Sequence, residues 1–535
     1  MYANDSKLVR RTPSYGARGV LATAIAMVAL AGCGGGGGST DPAANSGGSG
    51  GTGGTGGGSG SGSGGSGSGG GSGGTGSGGS GGGSTSGATP VVYLAEQDIV
   101  DVYELYKSTS TGSVKINGTL VQGGVVWDYE VSPNGDFVVY MADQDVDNRY
   151  ELYLVNLANP GVSIRISAPL GGDQDVEDFK VSPNGDFVVY KADEDILNRI
   201  ELYRVNLANP GVSTKLSAPL TVDRDVRDFA ISPDSSKVLY RADPGTLDAH
   251  ELFLVNVAAP GTSQQVHPEL TAGGEVSSAY RFSPDGTKVG YVADQEVDDQ
   301  QELFVASVAN PGVSTKLNGP MTTGGSVCRF EFSHDSTRVA YCGDQETDEV
   351  MELFMVSLAT PGVSQKLNAT LVSGGNVGSH YDFSSDDTFI VYEAEQDVVG
   401  RNELYRVDLA APGVATKLNA PIVAGGGVWP GAFKLRPDGQ HVDYYADQEI
   451  VQVWELYAVA LANPGAATKL TPTMAGVGMY DFDYTKDGER VVYSAAQDTE
   501  FVDLYSVELS APAVSTKLNG TLAAGGDVWD FTMIP

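Results

Sequence analysis

The sequence predicts an all-β fold, a single large β-propeller of four-stranded blades, about nine of them, and three observations carry it. A unit of roughly 50 residues recurs from Val91 onward, the period of one propeller blade. Each unit divides into four short apolar runs separated by turn residues. The two ends of the array are complementary fragments of one unit.

The unit is clearest in the stretch "VSPNGDFVVYMADQDVDNRYELYLVNLANPGVSIRISAPL" and its successor "VSPNGDFVVYKADEDILNRIELYRVNLANPGVSTKLSAPL". Strand A is the run before Ser-Pro, such as "DFKV". The turn "SPNG" or "SPDG" follows, in which Pro presets φ and Gly accepts a positive φ. Strand B, "FVVY" or "KVGY", is continuously apolar, as a strand buried on both faces requires. Strand C is "ELYLVNL", closed by "ANPG", and strand D is "TKLN" or "IRIS". An acid before Leu-Tyr or Leu-Phe marks strand C at Glu104, Glu151, Glu201, Glu251, Glu302, Glu352, Glu403 and Glu455, and Asp503 marks a ninth. No segment has convincing helical periodicity.

The array opens at strand B (Val91-Val92-Tyr93) and finishes with "DVWDFTMIP", a strand A without its own blade. Together they make one composite blade, which closes the ring and leaves no exposed sheet edge. Counting this way gives nine blades; an eight-blade ring with one irregular unit, or an open arc, is the alternative.

The register "F-S-P-D-G … V-x-Y-x-A-D", as at Phe282-Ser283-Pro284-Asp285-Gly286, resembles the WD-like propeller repeats of TolB and related periplasmic proteins. The TolB-like resemblance covers residues 89–535 and implies the propeller fold, while such rings host enzymes, binders and scaffolds alike. Two departures stand out. TolB carries an α/β domain where this chain has linker, and propeller peptidases carry a hydrolase domain with a Gly-x-Ser-x-Gly elbow, whereas this chain finishes at the ring closure.

Residues 1–32 read as a targeting segment. Lys7, Arg10, Arg11 and Arg18 precede the short apolar run "GVLATAIAMVAL", too short for the roughly 20 apolar residues of a membrane span. Arg10-Arg11 is only a weak twin-arginine match. Leu30-Ala31-Gly32-Cys33 resembles the lipobox of bacterial lipoproteins, which implies cleavage before Cys33 and its acylation. Gly34 after that cysteine resembles lipoproteins sent to the outer membrane, so a cell-envelope location, lipid-anchored and facing the periplasm or the surface, is expected. Residues 33–88 are almost entirely Gly, Ser and Thr and cannot bury a core. A coil of about 55 such residues spans roughly 40 Å.

The formal charge is −35, and loss of residues 1–32 leaves about −38. That balance excludes nucleic acid and anionic lipid surfaces as partners and suits either a solvated acidic surface or divalent cations. The loop from strand B to strand C reads Asp143-Gln-Asp145-Val-Asp147-Asn-Arg-Tyr-Glu151, with carboxylates at positions 1, 3, 5 and 9. This spacing resembles the Asp-x-Asp-x-Asp-Gly calcium loops of other propellers, because alternate residues of a tight loop turn oxygens inward. Asp294, Glu296, Asp298 and Glu302 repeat it, as do Asp344, Glu346, Asp348 and Glu352. Elsewhere it is degraded: Leu197 replaces the position-5 acid, and the fourth unit keeps Asp243 and Glu251. Position 6 lacks the glycine of a calcium loop, with Asn148, Asp299 and Glu349 there. Two readings stay open: Ca²⁺ held by at least one loop, or acids that hold the loop by accepting from backbone N–H groups.

Catalytic chemistry is not evident. His250, His267, His334, His380 and His441 fall at unrelated positions of different units, and no His/Cys cluster, nucleophile elbow or phosphate loop is present. Cys328 and Cys342 flank a strand A–B turn symmetrically, which suits a disulfide in an exported protein or two small buried residues. The expectation is a non-enzymatic monomeric envelope protein, binding or scaffolding a protein or glycan through its propeller. The alternative is a propeller enzyme of lyase, lactonase or glycosidase type using channel carboxylates on a polysaccharide.

Overall fold

The computed structural model describes residues 89–220, 224–243, 250–474 and 478–535. The targeting segment, Cys33 and the Gly/Ser-rich linker lie outside the described residues. The described chain is all-β and forms nine four-stranded antiparallel sheets in a β-propeller.

Within each sheet the strands follow the order A–B–C–D expected from the repeat. In blade 2 they are Val126–Val131, Phe137–Ala142, Glu151–Asn156 and Ser163–Arg165. Strand A of one blade meets strand A of its neighbours, so the A strands form the inner wall of the ring. Strand B is buried along nearly its whole length. The strand B tyrosine stacks on the aromatic directly opposite it on strand C in every blade, from Tyr93–Tyr106 at 5.7 Å to Tyr493–Tyr505 at 5.6 Å. Such a cross-strand aromatic pair contributes about 0.5–1.5 kcal/mol beyond its buried area.

The ring closes as the fragments predicted. Val528–Met533 pairs antiparallel with Val91–Ala95, setting Tyr93 opposite Phe531, and Glu104–Thr109 and Gly112–Lys115 complete blade 1. Its core continues into blade 9 through Val492 and Leu504, which pack with Val91, Tyr93, Val528 and Phe531. Blade 1 in turn packs on blade 2, Val92, Leu94 and Leu105 joining Val126, Tyr129 and Tyr140. Hydrophobic burial therefore runs from blade to blade around the whole ring.

Alternate loops fall on opposite ends of the ring. The A–B and C–D turns share one end, where Leu157 N–H donates to the Asp136 carbonyl. The B–C loops and D–A connections share the other, where Val121 N–H donates to the Gln144 carbonyl. That second end carries all the candidate residues of the loops.

Candidate binding face

The B–C loops are closed by the protein's own groups. Asp143, at position 1, is 2% exposed and accepts from Val125 N–H at 2.6 Å and Asn148 N–H at 3.0 Å. Asp294 and Asp344 repeat this, accepting from Glu275 and Asp299 and from Ser326 and Glu349. Asn148, Asp299 and Glu349 have φ near +60°, so position 6 takes the left-handed conformation without glycine.

Positions 3 and 9 converge on one lysine of strand D. Lys316 Nζ lies 2.7 Å from Glu296 and 3.0 Å from Glu302. Lys366 likewise bridges Glu346 and Glu352. The same clamp is built by Lys115, Lys215, Lys417 and Lys469 in their blades. In blade 2, Arg165 takes Glu151 at 3.0 Å, while Asp145 hydrogen-bonds the Tyr153 hydroxyl. The position-5 acids Asp147, Asp298 and Asp348 lie over Gly123, Gly273 and Gly324 of the D–A connection, where a Cβ would meet a carboxylate oxygen at 2.6–2.9 Å. Those glycines also hold φ between +90° and +94°.

In blades 5 and 6 an ammonium thus stands between the carboxylates that the spacing assigns to a divalent ion, and in all three loops both oxygens of position 1 are spent on the backbone. Among the described residues no three His, Cys, Asp or Glu side chains come together as metal ligands. As arranged, the loops do not fit a Ca²⁺ ion, which wants six to eight oxygens. Blade 4 departs from the clamp: Gln265 replaces the lysine and donates to Glu251 at 3.1 Å, and burial raises that carboxyl.

Cys328 and Cys342 are joined by a disulfide between strands A and B of blade 6, with Cα atoms 5.7 Å apart. Of the histidines, His267 is 1% exposed and accepts from Leu252 N–H at 3.1 Å, the role Ser167 or Asn318 fills in other blades. His250 pairs with Glu275, and His334 with Asp387.

The polar groups of the inner wall bind blades to one another. Tyr280 donates to Asp228 at 2.6 Å, which also takes Arg241. Arg281 reaches Glu331 of the next blade, and Lys434 lies 3.7 Å from both Asp481 and Asp483. Glu393, 1% exposed, accepts from Gly431 N–H at 2.9 Å and Ala432 N–H at 3.2 Å, and burial pushes its carboxyl up to about 8.

What varies around the ring is a bulge near the start of strand A. Every strand A leaves the ladder there, and a bulge re-aims the extra side chain. Blades 8, 9, 1 and 2 place Trp429, Tyr480, Trp529 and Trp127 at it. Blades 3 to 7 place Glu177, Arg227, Ser277, Cys328 and Gly378 there. Trp529 is 49% exposed and Tyr480 42%. The residue before the strand C acid supports three of these rings edge-on. Trp529 meets Tyr103 at 4.9 Å, Trp127 meets Tyr150 at 5.6 Å, and Trp429 meets Trp454 at 4.7 Å. All four tryptophans of the chain are therefore in one arc over four consecutive blades. The arc is legible in the sequence only when the units are aligned on strand A, which puts an aromatic at one position of four of them.

No family model matches the sequence, and neither does any curated protein. Among solved structures, a dipeptidyl peptidase 4 of Porphyromonas gingivalis is similar at TM-score 0.53 and 15% identity, over 74% of this chain and 60% of that one. The chain thus spans less than two thirds of that peptidase's length. A eukaryotic initiation factor is similar at TM-score 0.52 and 11% identity, over 84% of this chain and 99% of that one. At such identities these likenesses show the fold alone, a β-propeller.

Proposed function

We propose that this chain is a TolB-like, lipid-anchored protein of the bacterial cell envelope, tethered through Cys33 to the outer membrane. Its propeller binds or scaffolds a protein or glycan partner and performs no catalysis. The observation that carries this reading is the aromatic arc, in which three tryptophans and Tyr480 occupy one position of four consecutive blades in a ring otherwise built from repeats. Half-exposed Trp and Tyr side chains on a rigid frame are typical energetic anchors of a binding surface. The inner-wall carboxylates, by contrast, are committed to neighbouring blades, as with Asp228 and Glu331.

Two measurements test the proposal. Mass spectrometry of the mature protein should find acylated Cys33 as its first residue; an intact N-terminus or a soluble product cut elsewhere contradicts the anchor. Affinity capture from envelope extracts with the full chain should recover a partner that Trp127→Ala with Trp529→Ala loses. Identical recovery by both proteins contradicts the arc as the binding surface.

A further inference from the structure

We infer that a cleft between blades 5 and 6 binds an aliphatic monocarboxylate, with its charge at Lys288 and its chain along the apolar wall. The site is separate from the aromatic arc and goes beyond the partner binding proposed above. Blade 5 is built from Val276–Phe282, Lys288–Ala293, Glu302–Ser307 and Asn310–Lys316. Val305, Ala306 and Leu317 of this blade line a cleft of about 290 Å³ together with Leu358 and Pro361 of the blade 6 C–D turn. Gly362 N–H donates to the Leu317 carbonyl at 3.0 Å and holds that turn in place. Ligand pockets run upward from about 300 Å³, so this one suits a small molecule.

Blade 5 departs from the repeat at three positions of this face. Lys288 begins strand B, where blades 2, 3 and 7 have Phe137, Phe187 and Phe389. On strand C, Val305 stands where blades 2, 4 and 6 have Leu154, Leu254 and Met355. On strand D, Thr315 takes the position of Ile164. Where Arg204 and Arg406 replace the strand C aliphatic, each covers the phenylalanine ring of its blade, at 5.8 Å and 4.2 Å. Blade 5 has neither the phenyl ring nor the larger aliphatics, and the space is open.

One end of the cleft is polar. Lys288, Ser307 and Asn310 pair in one line across strands B, C and D, and all three line the cleft. In blade 2 the residue at Ser307's position, Asn156, caps its own turn by accepting from Ala158 N–H at 2.8 Å. In blade 5 strand D pairs with Ser307 directly. Among the described residues the side chains of Lys288, Ser307 and Asn310 have no hydrogen bond or ion pair. Asp285 feels the charge of Lys288 but gives its oxygens to Ser283 and Thr287. An ammonium beside a hydroxyl and an amide fits a carboxylate, and the aliphatic wall fits a hydrocarbon chain. The formal charge of −35 repels multiply charged anions, which leaves a single carboxylate on an apolar tail as the matching ligand.

The test titrates the full chain with sodium octanoate by isothermal titration calorimetry, with octylammonium and butyrate as comparisons. Octanoate should bind saturably at a single site and octylammonium should not. Butyrate should bind at least about tenfold more weakly, since it lacks most of the chain that the wall covers. Lys288→Gln should weaken octanoate about tenfold, as loss of a charge-assisted hydrogen bond does. Val305→Leu with Thr315→Ile, which installs the pair already packed in blade 2, should abolish binding and keep the native melting temperature. If a variant fails to fold, octanoate against octylammonium on the unaltered protein decides the matter. No saturable octanoate binding, equal binding of octylammonium, or full affinity in either folded variant would overturn the inference. None of these outcomes bears on the aromatic arc, which the affinity capture tests by itself.

Discussion

Blades 3 to 7 and the arc of blades 8, 9, 1 and 2 share one scaffold and differ in what they show at the ring's mouth. Tyr190–Tyr203 in blade 3 and Tyr140–Tyr153 in blade 2 stack alike, at 5.7 Å and 5.5 Å. The lysine clamp is present in both regions, at Lys316 and at Lys115. At the strand A bulge, however, one region shows Glu177, Arg227 and small residues, and the other shows indoles and a phenol. The comparison separates two kinds of position. Those that repeat hold the ring together, and those that break the repeat distinguish its surface. Damage to the first kind should therefore cost stability in either region.

The largest effect is expected from removing the closing strand. Deletion of Asp527 to Pro535 takes away the hydrogen-bonded partner of Val91–Ala95 and uncovers the edge of a strand that is otherwise fully buried. The truncated protein should aggregate, as size-exclusion chromatography will show. A monomer with an unchanged melting temperature would mean that the two regions are not joined through blade 1.

A smaller loss is expected from opening a clamp in the region without the arc. Lys316→Met leaves Glu302, whose side chain is 4% exposed, without its cation. Removing one partner of a buried pair should cost about 2–3 kcal/mol, discounted from a fully buried pair because Lys316 is one-third exposed. Lys316→Gln should cost less, since blade 4 already uses Gln265 against Glu251. Denaturant midpoints for both variants check this, and equal losses would deprive the clamp of its electrostatic role.

A pH-dependent effect sharpens the boundary between the regions, where Glu393 of blade 7 grips Gly431 and Ala432 of blade 8. Burial raises this carboxyl to about 8 in the folded protein, so the folded state holds the proton more tightly than the unfolded chain does. Its contribution is present below the ordinary glutamate pKa and is lost as pH rises toward 8. The stability of the native protein relative to Glu393→Gln should therefore fall by about 1 kcal/mol or more between pH 4 and pH 8. Parallel pH profiles would sink this reading of Glu393.

The smallest effect concerns calcium. With Glu296 and Glu302 sharing Lys316, and Asp294 bonded to the backbone, millimolar calcium or chelator should leave the melting temperature in place. A rise with calcium would show that the clamps open to admit the ion, since binding to the native state alone must stabilise it.

Much of this architecture was legible before any coordinates. The apolar run of strand B, the Ser-Pro-x-Gly turn and the two fragmentary ends each have one physical meaning, and they agree on a closed ring. The loop chemistry was half legible. Acids at positions 1, 3, 5 and 9 announce a cation, but the cation is Lys316, which lies 14 residues beyond Glu302 and reaches it only through the pairing of strands C and D. The arc was hidden for a different reason. Trp127 and Trp529 are far apart along the chain and become members of adjacent blades only because the two ends pair.

That pairing also sets an order of events. Asp527 and Glu96 are 431 residues apart when their hydrogen bond forms, so blade 1 is the contact with the greatest loop-closure cost. Blades 2 to 9 are each built from one local stretch of chain and can assemble before it. Trp529 meets Tyr103 only when the ring shuts, so the mouth is complete only once blade 1 has formed. A folding intermediate lacking blade 1 would hold most of the scaffold and none of the Trp529 site. Any partner that depends on that site is kept waiting until the whole ring is complete.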